Sequence, residues 1–156
     1  METVYIETSV VSYLTARISH DLVVASRQRL TREWWAKRRG SFHCVTSQEV
    51  LDEASAGDSA SVARRVAALR DIPRIAGGSA ARQLAVELMT AGLFPPNAAV
   101  DALHLTIATL EKVDYLLTWN YRHLANAVIL HRLEKFLAQR GLLLPRVCTP
   151  EELSGE

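Results

Sequence analysis

The chain has 156 residues, 49% of them hydrophobic and 22% charged, a length and apolar fraction that fit one folded domain over residues 1–156 and exclude a disordered chain. Eighteen basic against 17 acidic residues leave a net charge of +1, so no bulk excess of charge points to nucleic acid.

Residues 3–6 (TVYI) are apolar, β-branched or aromatic, and read as a buried strand ending at Glu7. Thr8 and Ser9 offer capping hydroxyls for a short helix. Asp21 caps a longer helix, to about residue 39, which Gly40 stops. Residues 42–46 form a second strand, and Ser47 caps the helix after it. Gly57-Asp58-Ser59 ends that helix, and residues 61–70 make another. Residues 71–75 suggest a third, short strand, with Pro73 placing it at an edge or a strand end. A helix runs from Ser79 to about residue 91, and Pro95-Pro96-Asn97 then breaks the chain and caps an Ala/Leu-rich helix to residue 112. Residues 114–118 (DYLLT) form a fourth strand, Asn126 caps a helix to residue 140, and residues 145–148 form a fifth strand. Strands alternating with helices predict an α/β fold in three α/β/α layers, with a mostly parallel sheet of four to five strands.

Cys44 and Cys148 show no metal-ligand spacing and read as buried free thiols of a reducing cytoplasm. Nothing at the N-terminus resembles a signal peptide, and no apolar run approaches the roughly 20 residues of a membrane span, so no membrane contact is expected.

In parallel α/β sheets the site lies beyond the carboxyl ends of the strands, where strand order reverses. The expected strand ends carry Glu7-Thr8-Ser9, then Ser47 with Glu49, Asp52 and Glu53 on its helix, and Thr118-Trp119-Asn120, while Asp101 lies in about the second turn of the helix before that last strand. Gathered carboxylates repel one another and raise each other's pKa, unless a hard divalent cation sits among them. Carboxylate, amide and hydroxyl oxygens are the ligands of magnesium and manganese, and a bound ion can activate water and stabilise charge on a phosphoryl group.

YIETSVVSYL, TSQEVLDEASAGD and DALHLTIATLEKVDYLLTWNYRHL together resemble the PIN domain, and within it the VapC-type ribonuclease toxins of bacterial toxin–antitoxin pairs, over residues 3–150. The most specific piece is Asp101-Ala102, a small-residue helix, and an apolar strand ending Thr-x-Asn. The resemblance implies catalytic and metal-holding roles for Glu7, Glu53 (six residues after Ser47), Asp101 and Asn120, with Thr8 and Thr118 as the hydroxyls beside them. Glu7 stands where the family usually has aspartate, and Asn120 keeps an oxygen but loses a charge. The implied function is a Mg2+- or Mn2+-dependent endoribonuclease leaving 5′-phosphate and 3′-hydroxyl ends, a cytoplasmic toxin that acts on RNA, forms a homodimer and binds a small antitoxin protein. Because Glu7 and Asn120 replace the aspartates of the pattern, the alternative is a degenerate PIN module that binds RNA or a protein partner without cutting.

Other residues have blander readings. Asp114 reads as a cap or solvated acid. His104, three residues after Asp101 on the same helix face, reads as a satisfied core histidine that can also bond an acid. His123 can face the cleft, while His20, His43 and His131 have no zinc-ligand spacing. Only Lys37, Lys112 and Lys135 are lysines, so the basic residues are mostly arginines, as phosphate contacts or coding bias would both produce. Six of the 18 fall between Arg27 and Arg39 around Trp34 and Trp35, which suits either an RNA surface or a tryptophan packed in the core among solvated charges.

Overall fold

The computed structural model describes residues 1–155. Among them, four strands form one sheet of order β2-β1-β3-β4: β1 (Thr3–Ile6), β2 (His43–Val45), β3 (Tyr115–Leu117) and β4 (Arg146–Cys148). Every pairing is parallel, with Tyr5 opposite Val45 on one side and Leu116 on the other. Val4, Tyr5 and Ile6 are fully buried. Successive strand residues face opposite sides, so both faces of the sheet are covered. The covering elements are seven helices: α1 (Thr8–Thr15), α2 (Leu22–Lys37), α3 (Gln48–Ala54), α4 (Ser59–Leu69), α5 (Gly78–Thr90), α6 (Ala99–Leu110) and α7 (Ala127–Ala138). Helix α1 touches α2, α3 and α4, and α5 packs along α6.

Three of the seven helix starts are fixed by the expected caps, whereas α1 is capped by the Glu7 carboxylate rather than by Thr8 or Ser9, because that carboxylate takes the Ser9 amide. Asp21 accepts from the Val24 amide at 3.0 Å, and Ser47 from Val50 at 3.2 Å. Asn126 accepts from both Val128 and Ile129, at 3.1 and 3.2 Å. Asn126→Ala leaves those amides to water and is expected to cost about 1 kcal/mol in chemical denaturation. Helix α4 starts two residues earlier than expected, because Asp58 takes the Ser61 amide at 3.0 Å.

Two expected elements differ. The third strand of residues 71–75 is reduced to one bridge, Thr46 to Arg74. Pro73 offers its carbonyl to Thr46 at 2.9 Å but has no N–H with which to extend a ladder. Asn97 is not a cap: it lies inside a 3-10 turn, Pro96–Ala98, and α6 follows without a side-chain cap. Asp101 therefore sits in the first turn of α6 rather than the second, where the helix dipole favours a negative charge.

Trp34 is 2% exposed, donates from Nε1 to the Leu153 carbonyl at 3.1 Å and stacks on Phe42. One tryptophan of the basic helix is thus a core residue, and Trp35 stays half-buried beneath Arg39. Cys44 and Cys148 are buried free thiols, which burial pushes up to about 11 and about 12. Asp114 accepts the Thr3 amide at 2.8 Å, tying β1 to the segment before β3. Among the described residues, no helix is long and apolar enough to cross a membrane.

Candidate functional site

The chain steps from β1 out to β2 and returns across the sheet to β3, so strand order reverses between β1 and β3. The residues leaving those two strands are Glu7 and Thr118. Glu7 is the N-cap of α1, and its Oε2 accepts from the Ser9 amide at 3.0 Å and from the Ser9 hydroxyl. The same oxygen accepts from Thr118 Oγ1 at 2.7 Å, across the strand gap. Three donors on one oxygen hold the carboxylate in place. At 4% exposure Glu7 is nearly closed off from water. Burial raises its pKa, and His104 and the bonds from Ser9 and Thr118 only partly oppose that shift.

Of the three acids on α3, Glu53 meets this group. Asp52 is exposed and accepts from Gln48 at 2.8 Å. Glu53 Oε1 accepts from Thr8 Oγ1 at 2.6 Å and pairs with His104 Nε2. Burial works to raise the pKa of Glu53, but the His104 bond and charge outweigh it and hold the carboxyl below its ordinary value. Ligand atoms of Glu7, Glu53 and His104 lie within 4.8 Å of one another.

His104 is completely buried. Its Nδ1 meets the Tyr5 hydroxyl at 2.7 Å, and that hydroxyl meets Ser47 Oγ at 2.6 Å. A relay thus runs from Ser47 through Tyr5 and His104 to Glu53. Burial disfavours a charged imidazole, yet the Glu53 bond and the carboxylates of Glu7, Glu53 and Asp101 raise its pKa overall. With both ring nitrogens engaged, His104 acts as the holder of Glu53, leaving the oxygens of Glu7 and Glu53 as the metal-suited donors. A buried and a part-exposed carboxylate this close, both fixed by hydroxyl donors, fit a hard divalent ion.

Asp101 lies outside that 4.8 Å group among the described residues. Its Oδ2 pairs with His123 Nδ1 at 2.9 Å, with side-chain exposures of 18% and 15%. Asn120 Oδ1 accepts the His123 amide at 3.0 Å, and the Asn120 amide donates to Thr118 Oγ1 at 3.0 Å. Thr118, Asn120 and His123 thus form one strip that runs from Glu7 to Asp101. The site also uses Tyr5, Ser9, Ser47 and both histidines as holders. Ser9 and Ser47 stand at the expected strand ends and the histidines near the acids, whereas a strand tyrosine such as Tyr5 looks like ordinary core.

No protein-family model and no curated protein matches the chain. Among solved structures, it is similar to a chain of VapBC2 from Rickettsia felis, crystallised bound to a DNA fragment from the promoter. The two share 16% identity at a TM-score of 0.54, over 94% of this chain and 98% of that one. Near-complete mutual coverage and the all-parallel sheet agree on one architecture: the chain has a PIN-like α/β fold.

Proposed function

We propose that the chain is a divalent-metal-dependent endoribonuclease and the toxin of a type II toxin–antitoxin pair. The observation that carries this reading is the buried Glu7 carboxylate at the sheet's switch point, with Glu53 and His104 within 4.8 Å of it. Glu7, Glu53 and Asp101 would supply carboxylate oxygens to Mg2+ or Mn2+, and Asn120 an amide oxygen. When bound, the ion supplies positive charge to the phosphodiester and lowers the pKa of water. The chain's own residues do the positioning. Thr118 and Ser9 orient Glu7, Thr8 and His104 orient Glu53, and His123 orients Asp101. One of these carboxylates would also accept the proton of the water that attacks phosphorus, and the 3′ oxygen would leave as a hydroxyl.

The solved neighbour is a VapBC complex, which supports a cognate antitoxin as partner of this chain. A cytoplasmic location and a homodimer complete the proposal. Purified protein is expected to cut single-stranded RNA in manganese and to stop in excess chelator. RNA binding without cleavage across a broad panel would instead establish the non-cutting module, and equal cutting of single-stranded DNA would remove the RNA assignment.

A further inference from the structure

At the same end of the sheet as Glu7, a groove of about 380 Å³ opens between α2 and the segment after β3. Val23, Arg27 and Leu30 line it from α2, Trp119 and Tyr121 from the segment after β3, and Glu151 from beyond β4. Trp119 joins this groove to the carboxylate pocket. Its amide donates to Ser9 Oγ at 2.8 Å, and that hydroxyl donates in turn to Glu7. Its indole is fixed at the other end, where Nε1 donates to Thr31 at 2.7 Å. Tyr121 sets its ring against the indole at 6.2 Å between centroids and is 43% exposed.

Arg27 completes the arrangement. Its Cζ lies 4.9 Å from the Tyr121 ring centroid and 5.7 Å from that of Trp119. Among the described residues the guanidinium enters no ion pair, Glu151 included. An apolar protein segment laid over the groove would bury that charge unpaired, which is costly, whereas a phosphate would pair it. A part-exposed aromatic ring with an unpaired guanidinium over it supplies the elements that hold single strands by base stacking and phosphate contact.

We infer that Arg27 and Tyr121 form a nucleotide subsite for single-stranded RNA beside the carboxylate pocket. The ring stacks on a base, and the guanidinium meets an adjoining phosphate. The choice of RNA as ligand rests on the ribonuclease reading above.

The test is fluorescence anisotropy with labelled decauridylate in EDTA, where cleavage is off, using full-length wild type, Tyr121→Phe, Tyr121→Leu and Arg27→Gln. Thermal melts check that each variant is folded. Tyr121→Phe is expected to bind as wild type does, and Tyr121→Leu about tenfold more weakly with an unchanged salt dependence. Arg27→Gln is expected to weaken binding and reduce the log–log salt slope by about 0.7, the share of one phosphate on a single strand. Wild-type affinity in Tyr121→Leu, or no binding by wild type, overturns the subsite. So does a Tyr121→Leu protein that keeps its RNA affinity but changes oligomeric state, because the groove would then be a protein interface. Wild type that binds as expected yet fails to cut in manganese leaves the subsite standing and overturns the nuclease reading instead.

Discussion

Glu7→Gln is expected to abolish metal-dependent cleavage and, in the same protein, to raise the stability of the ligand-free fold. The carboxylate is 4% exposed, and burial lifts its pKa. Glutamine keeps an oxygen for the Ser9 and Thr118 donors and removes the buried charge. Relief of such a charge is worth about 1–3 kcal/mol. The pH dependence fixes the sign. A carboxyl whose folded pKa lies above its unfolded value gives its full stability below the unfolded pKa, about 4.3, and loses it as pH rises through the folded pKa. The advantage of the variant should therefore be small near pH 4 and grow toward neutrality. Urea denaturation at both pH values, in EDTA, measures it. Equal gains at the two pH values would contradict the account of Glu7, as would cleavage at the wild-type rate.

His104→Phe should act in the opposite sense, losing both stability and metal affinity. The ring is fully buried and bonded at both nitrogens. Phenylalanine leaves the Tyr5 hydroxyl short of a partner and Glu53 without its holder. Breaking a fully buried pair costs about 3–5 kcal/mol. Glu53 is 36% exposed, so water recovers part of that, and a loss of about 2–3 kcal/mol is expected. Loss of a residue that holds a ligand also weakens metal binding by about 10- to 100-fold. His104→Gln retains one donor for Glu53 and should recover part of both losses. Denaturation and manganese titration together check this. A phenylalanine variant with wild-type affinity would show that Glu53 needs no holder.

The sheet was legible in the sequence because its strands are short, mainly apolar runs, buried almost throughout in β1 and at their carboxyl ends in β2, β3 and β4. Three of the helix caps were legible because Asp21, Ser47 and Asn126 sit directly before apolar-periodic segments. Asn97 misled because Pro96 begins a 3-10 turn that absorbs it, and residues 71–75 misled because Pro73 removes the donor a ladder needs. Glu53 stood out from Glu49 and Asp52 by its spacing from Ser47, and it is the α3 acid that meets Glu7. The pairing of acids with histidines was not legible. His104 lies three residues from Asp101, yet its Nε2 meets Glu53, 51 residues away, and the partner of Asp101 is His123. Helical spacing fixes which residues share a face, but crossing helices decide which residue they meet. The near-zero net charge hid this organisation, because acids at the sheet end and arginines along α2 cancel in the sum.

The most direct measurement is cleavage of single-stranded RNA in manganese by wild type and Asp101→Asn, assayed side by side. Asparagine keeps an oxygen to accept from His123, so the variant should melt within a few degrees of wild type. Wild type is expected to cleave, Asp101→Asn is not, and neither cleaves in excess chelator. Full activity in the variant, or in chelator, would contradict the nuclease reading.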